Sequence, residues 1–219
     1  MPETPTPVVT LFETYGAGAD RIGPRVAQAL GLPFHAQAFS SKEIEDAMTK
    51  HEETEGVLSQ VFNAMGGTYA GLEGHAVAVA QQDNYELVMD NTRTVMEAAR
   101  EGGVITGRNG ALILHDWPGA LHVLLDGPVQ QRIERAAQDS GIDVEQAARR
   151  QKREDQVRAD MSIQFYGWDP RETTRYDLVV NTGVMDLDTC VEIIVQAARV
   201  KAGLQPRSTD TGSPDTADS

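Results

Sequence analysis

An α/β fold built on one parallel sheet, in a single domain, follows from three observations. The chain has 219 residues, a length that suits one sizeable α/β domain. Short apolar runs alternate with helical patterns, and that alternation predicts parallel strands covered by helices on both faces. The first such unit, Val8 to Leu30, reads VVTLFETYGAGADRIGPRVAQAL: a buried strand, a glycine turn and a helix. Strand, glycine turn and helix in that order point backbone N–H groups and a helix N-terminus at a phosphate.

The elements follow in order. Met1 to Pro7, with three prolines, is a loose leader. Val8 to Phe12 is rich in β-branched residues and forms the first strand. After the first helix, Gly31-Leu32-Pro33 turns the chain into a weaker second strand over Pro33 to Phe39. Ser40 and Glu43 have capping-box spacing and open a helical stretch through Ile44, Ala47 and Met48 toward Met65, with a break near Gly56. Gly66 to Gly74 reads as a flexible loop. Asp83 and Glu86 repeat the capping-box spacing and start a helix ending near Gly102-Gly103.

Val104 to Thr106 is a third strand, followed directly by Gly107-Arg108-Asn109-Gly110. Leu121 to Leu125 is the fourth. Asp126-Gly127-Pro128 leads into a helix with proline at its first position, ending near Gly141. Asp143 caps another helix, which becomes densely charged over RRQKREDQVRAD. Tyr176 to Asn181 is the fifth strand, and Leu187 to Ala202 is the closing helix, stopped by Gly203. The domain is thus expected over 8–203. From Leu204 the chain is polar without apolar periodicity, as a disordered tail would be.

Composition narrows the function. Thirty-three acidic against 19 basic residues give a net charge of −14, which argues against a nucleic-acid backbone or an anionic membrane as partner. The single cysteine, Cys190, reads as a small buried side chain. No apolar stretch has the length of a signal or a membrane span, so a cytoplasmic protein is expected. The five histidines, at 35, 51, 75, 115 and 122, show no metal-ligand spacing. No serine stands in a nucleophile-elbow context.

The segments YGAGADRIG, NYELVMDNTRTVMEAAREGGVITGRNGALIL, KREDQVRADMSIQFYGWDP and YDLVVNT come in an order and spacing that resembles the cytidylate kinase-like family, a branch of the P-loop nucleoside monophosphate kinases. The resemblance runs from Val8 to Ala198. It implies a three-layer α/β fold with a five-stranded parallel sheet and a helical lid over about 151–168. The implied chemistry is transfer of the γ-phosphoryl of ATP, with Mg²⁺, to a nucleoside monophosphate or similar small acceptor. In that family Arg153 and Arg158 resemble the lid arginines, and Asp155 the lid acid. Charge pattern alone would make this a solvated, salt-bridged helix face; the family context reverses that preference. Arg108, at the crevice end of the third strand, resembles the arginine that binds the acceptor's phosphate, and a bidentate fork suits that job. Arg132 corresponds to an arginine placed against the nucleotide base. Arg93 and His35 are further acceptor-side candidates.

The phosphate loop covers Gly16, Ala17, Gly18, Ala19, Asp20 and Arg21; it departs from the standard G-x-x-x-x-G-K-[ST] pattern, and also from the lysine-free version usual in the family, something like YGSGGREI. Glu13 stands for the first glycine, Gly18 for the last, Ala19 for the lysine and Asp20 for the hydroxyl residue. A like-charge pair at ~4 Å and an effective dielectric of ~20 is worth about 4 kcal/mol, so these acids oppose ATP binding unless Arg21 compensates. Pro24 leaves two alternatives. The helix begins there, with its dipole displaced, or it begins near Ala19 with Pro24 inside, at a cost of about 3 kcal/mol. Tyr166 and Trp168 read as core packing. The expectation is therefore a phosphotransferase with an unusual loop, or a non-catalytic nucleotide-binding or protein-interaction relative. Glu43 to Val79 is where a homodimer contact is expected.

Overall fold

The structure is a computed structural model, and it describes residues 6–37 and 75–204, with 75–87 as backbone only. Among the described residues five strands form one sheet: β1 (Val8–Glu13), β2 (Phe34–His35), β3 (Gly103–Thr106), β4 (Ala120–Asp126) and β5 (Leu178–Asn181). Their order is β2-β3-β1-β4-β5, and every pairing is parallel. Between them run α1 (Ala19–Leu30), α2 (His75–Glu101), α3 (Gly110–Ile113), α4 (Val129–Ser140), α5 (Val144–Tyr166) and α6 (Leu187–Lys201). This is the three-layer kinase-type α/β fold.

Strand alternation sends side chains to the two faces. Val9 and Leu11 of β1, with Val104, Val123 and Leu125, pack against Ile22 and Val26 of α1 and Ile194 and Val195 of α6. Val8 and Ile105 face the other way, onto Val95, Ala98 and Ala99 of α2. Cys190 is buried in the first of these layers. Glu13 falls on the same side of β1 as Leu11, so its carboxylate is carried toward α1.

Several expectations change in detail. The helix assigned a start at Asp83 already runs from His75, because a capping-box spacing inside a helix is only an i,i+3 pair. Among the described residues strand two covers Phe34–His35, paired with β3 alone; residues 38 and 39 of the expected run lie outside them. Pro128 is the N-cap residue of α4 rather than its first helical residue. Strand five begins at Leu178, two residues later than expected. The Pro24 alternatives resolve: α1 begins at Ala19 and contains Pro24, which forfeits the bond to the Asp20 carbonyl. Asp143 caps α5, accepting from the Gln146 amide at 2.7 Å. The capping pair at Ser40 and Glu43, the loop at 66–74 and the tail lie outside the described residues, as does most of the Glu43–Val79 stretch. None of the described helices is long and apolar enough to cross a membrane.

At the sheet's centre His122 of β4 lies beside Thr10 of β1, with Nδ1 2.8 Å from the threonine hydroxyl. Burial lowers the imidazole pKa, against the pull of Asp177. The unfolded chain therefore binds the proton more readily than the folded one. Stability contributed by neutral His122 is complete above the unfolded pKa of about 6.5 and is lost as pH falls through the folded value. We expect the urea midpoint to fall between pH 7 and pH 5, and His122→Gln to flatten that limb. An unchanged slope in the variant would place the acid sensitivity elsewhere.

Candidate functional site

The turn after β1 is shaped by backbone that only glycine accepts readily. Gly16 and Gly18 have φ of 80° and 96°, the left-handed region. A Cβ on Gly16 would sit 2.3 Å from the Arg132 carbonyl oxygen, so the turn also lies hard against α4. The Ala17 amide donates to Thr14 O at 2.9 Å. The first turn of α1 then opens at Ala19, behind Gly18, which supplies no side-chain cap.

Two arginines of α4 hold this turn from behind. Arg132, 4% exposed, donates from Nη1 to Tyr15 O at 2.7 Å and to Asp155 Oδ2 at 3.1 Å, and from Nε to Gly127 O at 3.0 Å. Arg135 donates to Gly16 O at 2.9 Å and to Thr182 O at 2.6 Å. Asp155 of α5 completes the clamp, its Oδ1 accepting from the Tyr15 amide at 2.7 Å. Arg135 was not singled out by sequence reasoning. Its signal was the i,i+3 spacing from Arg132 on the helix after β4.

In front of the turn lies Glu13. Its Oε2 accepts from the Ala19 amide at 2.8 Å, at the N-terminus of α1. Arg158 of α5 donates to Glu13 O at 3.1 Å and lies 3.5 Å from Oε1. Arg158 also pairs with the buried Glu154 at 3.0 Å. Gln37 Nε2 donates to Glu13 Oε1 at 3.3 Å. Burial raises the Glu13 carboxyl pKa, and Arg158 with the Ala19 amide only partly offsets it.

A second turn lies at the crevice end of β3. Gly107, Arg108 and Asn109 are all left-handed, with φ of 68°, 56° and 55°, a conformation that costs of order 1 kcal/mol or more for each non-glycine residue. The surroundings hold it there. Asn91 Nδ2 donates to Arg108 O at 2.8 Å and to the Tyr166 hydroxyl at 2.7 Å. Trp168 Nε1 donates to Asn109 Oδ1 at 3.0 Å. Tyr166 and Trp168, read from sequence as packing, thus also tie the end of α5 to this turn. Among the described residues Arg108 makes one hydrogen bond, Nε to Ala36 O at 3.2 Å. Half-buried, its guanidinium pKa is lowered by desolvation, and no carboxylate pairs with it among the described residues.

The candidate residues therefore divide. Gly16, Ala17, Gly18, Ala19, Arg132, Asp155 and Arg158 come together around the first turn. Asp20 is exposed in the first turn of α1, and Arg21 is exposed and turned to Asp139 at 3.6 Å; Arg21 does not compensate the loop's acids. Arg93 is exposed and paired with Asp90 at 2.7 Å. The His35 ring packs over Gly103 at the start of β3, away from the crevice end. Arg153 is half-buried on α5. No cluster of metal ligands occurs among the described residues.

The family's sequence model, that of the cytidylate kinase-like family, matches residues 8–184. The chain belongs to the cytidylate kinase-like family. Among its relatives, the cytidylate kinase of Methanopyrus kandleri is 32% identical over 199 residues, spanning 87% of this chain and 92% of that one. A protein of Corynebacterium glutamicum named uronate isomerase is 36% identical over 129 residues, which are 59% of this chain and 25% of that protein. The chain thus corresponds to about a quarter of the second relative and nearly all of the first. A solved structure of an uncharacterized protein from Eubacterium ventriosum has the same fold, with a TM-score of 0.59, 16% identity and coverage of 88% of this chain and 98% of that one.

Family members imply ATP and Mg²⁺, and the first turn can be tested against them. As it stands the turn does not fit them. The Ala19 amide, which a phosphate oxygen would use, is taken by Glu13. Position 19 offers no lysine and position 20 no hydroxyl for a metal.

The clamp yields a stability test. Arg132→Met removes the donor to the Tyr15 carbonyl and the ion pair with Asp155, and breaking a buried ion pair in this way costs about 3 kcal/mol. A melting point lower by roughly 6–12 °C is expected for a domain of this size. A drop under 2 °C would show that the clamp contributes little.

Proposed function

We propose that the chain is a nucleotide kinase-like protein that binds a nucleoside monophosphate, or a similarly small phosphate compound, at the Gly107–Gly110 turn. The observation that carries this reading is Arg108. Its guanidinium is half-buried, held on strained backbone at the crevice end of β3, and without a carboxylate among the described residues. In a chain of net charge −14, a desolvated cation left without a counter-ion favours an anion, and its planar fork suits a phosphate. Strained residues held by several independent contacts are characteristic of ligand sites.

Full ATP-dependent transfer of the γ-phosphoryl to that acceptor is the second reading. One observation favours it: α5, in the place of the family's lid, is docked on the first turn through Asp155 and Arg158. The occupied cradle of the first turn disfavours it for the chain at rest, which leaves binding without turnover as the preferred form of the proposal.

Calorimetric titration of CMP, UMP, AMP and inorganic phosphate tests the acceptor reading. We expect one nucleoside monophosphate to bind and Arg108→Ala to weaken it about tenfold or more, the size of one hydrogen bond to a charged group. Arg93→Ala should leave it unchanged. Absence of binding at millimolar concentration, or an Arg108→Ala variant indistinguishable from wild type, overturns the reading. ADP release from Mg²⁺-ATP with the same acceptors separates the two forms. Steady turnover that Arg158→Ala lowers about a thousandfold would establish the second.

A further inference from the structure

The fold brings an acid to the position where this class of protein ordinarily receives the phosphates of its donor. Glu13 ends β1, and α1 starts six residues later, on the same side of the sheet. Its carboxylate meets the Ala19 N–H, one of the unpaired amides that make a helix N-terminus attractive to phosphate. A carboxylate oxygen at 2.8 Å from that amide stands where a phosphate oxygen would stand. The second group a phosphate would use, a cation from α5, is also engaged: Arg158 donates to the main-chain oxygen of Glu13 and faces its Oε1. Gln37 adds a third contact. Glu13 is 6% exposed, so this is a closed arrangement and not a side chain passing through solvent.

From this geometry we infer that Glu13 is an internal stand-in for the donor phosphate, an autoinhibitory residue that keeps nucleoside triphosphate out of the first turn. The carboxylate supplies one negative charge to the α1 N-terminus and to Arg158, and a phosphate must displace it to reach either. The inference concerns the donor side, and it stands whether or not Arg108 binds an acceptor. Arg158 keeps a partner when Glu13 is removed, since it also pairs with Glu154 at 3.0 Å. Withdrawal of Glu13 therefore leaves a cation already facing the vacated cradle.

A plain helix cap is the rival explanation, and two substitutions separate it from autoinhibition. Glu13→Gln keeps the size and the hydrogen-bond acceptor and removes the charge. Glu13→Gly restores glycine at the first position of the loop and empties the cradle. Mg²⁺-ATP and Mg²⁺-ADP are titrated calorimetrically into wild type and both variants, with circular dichroism as the check on folding and CMP, UMP and AMP as the acceptor-side controls. We expect Glu13→Gly to bind Mg²⁺-ATP at least about tenfold more tightly than wild type, and Glu13→Gln to gain several-fold. If both variants bind Mg²⁺-ATP no more tightly than wild type, Glu13 is a cap and the inference is overturned. Should Glu13→Gly fail to fold, the Glu13→Gln comparison decides alone, because it preserves the cap. Absence of binding of CMP, UMP and AMP in all three proteins would overturn the acceptor reading and leave the ATP comparison intact.

Discussion

A buried carboxylate joins three elements of this fold. Glu13 ends the central strand, caps the first helix through the Ala19 amide and faces Arg158 of α5. Burial of a charge is costly unless it is paired and hydrogen-bonded, and here a backbone amide, an amide side chain and a guanidinium share the compensation. The raised carboxyl pKa shows that this compensation is incomplete. The same set of contacts brings α5 down on the first turn. It also engages the Ala19 amide within the protein itself.

Behind the turn, the arginines of a strongly acidic chain are spent inward. Arg132 and Arg135 bind carbonyl oxygens of Tyr15 and Gly16, and Asp155 joins the Arg132 side chain to the Tyr15 amide. Guanidinium forks suit such work because they satisfy several acceptors in one plane. The effect is a first turn fixed on both sides, by acids at its amides and by arginines at its carbonyls. Arg108 differs in kind. Its backbone is strained and tied down by Asn91 and Trp168, while its guanidinium keeps most of its donors uncommitted among the described residues. In the proposed reading, the contrast between a satisfied first turn and an unsatisfied second one separates donor from acceptor side.

Much of this was legible in the chain. Largely apolar runs such as Leu121 to Leu125 are buried on both faces, so a parallel strand between helices was readable at β4. The Asp143 cap, the glycine stop near Gly141 and the position of Arg108 just after β3 were local features, and local features survive folding. What escaped were boundaries and partners. Asp83 and Glu86 carry a start signal, yet the helix runs through them, because capping geometry exists only where the preceding residue leaves the helix. Arg21 lies one place from the loop in sequence, but the helix turns it toward Asp139.

The sequence by itself determined the fold class, the order of the elements, the family and the positions of Glu13, Arg108, Asp155 and Arg158, because periodicity and motif order are properties of the linear chain. Only the tertiary structure decided what those residues do to each other. Whether Glu13 would face solvent, repel a ligand or fill its place depended on β1 and α1 lying on one side of the sheet and on α5 crossing the turn. Those are contacts between residues 6 and 145 positions apart, and no local rule of sequence contains a separation of that size.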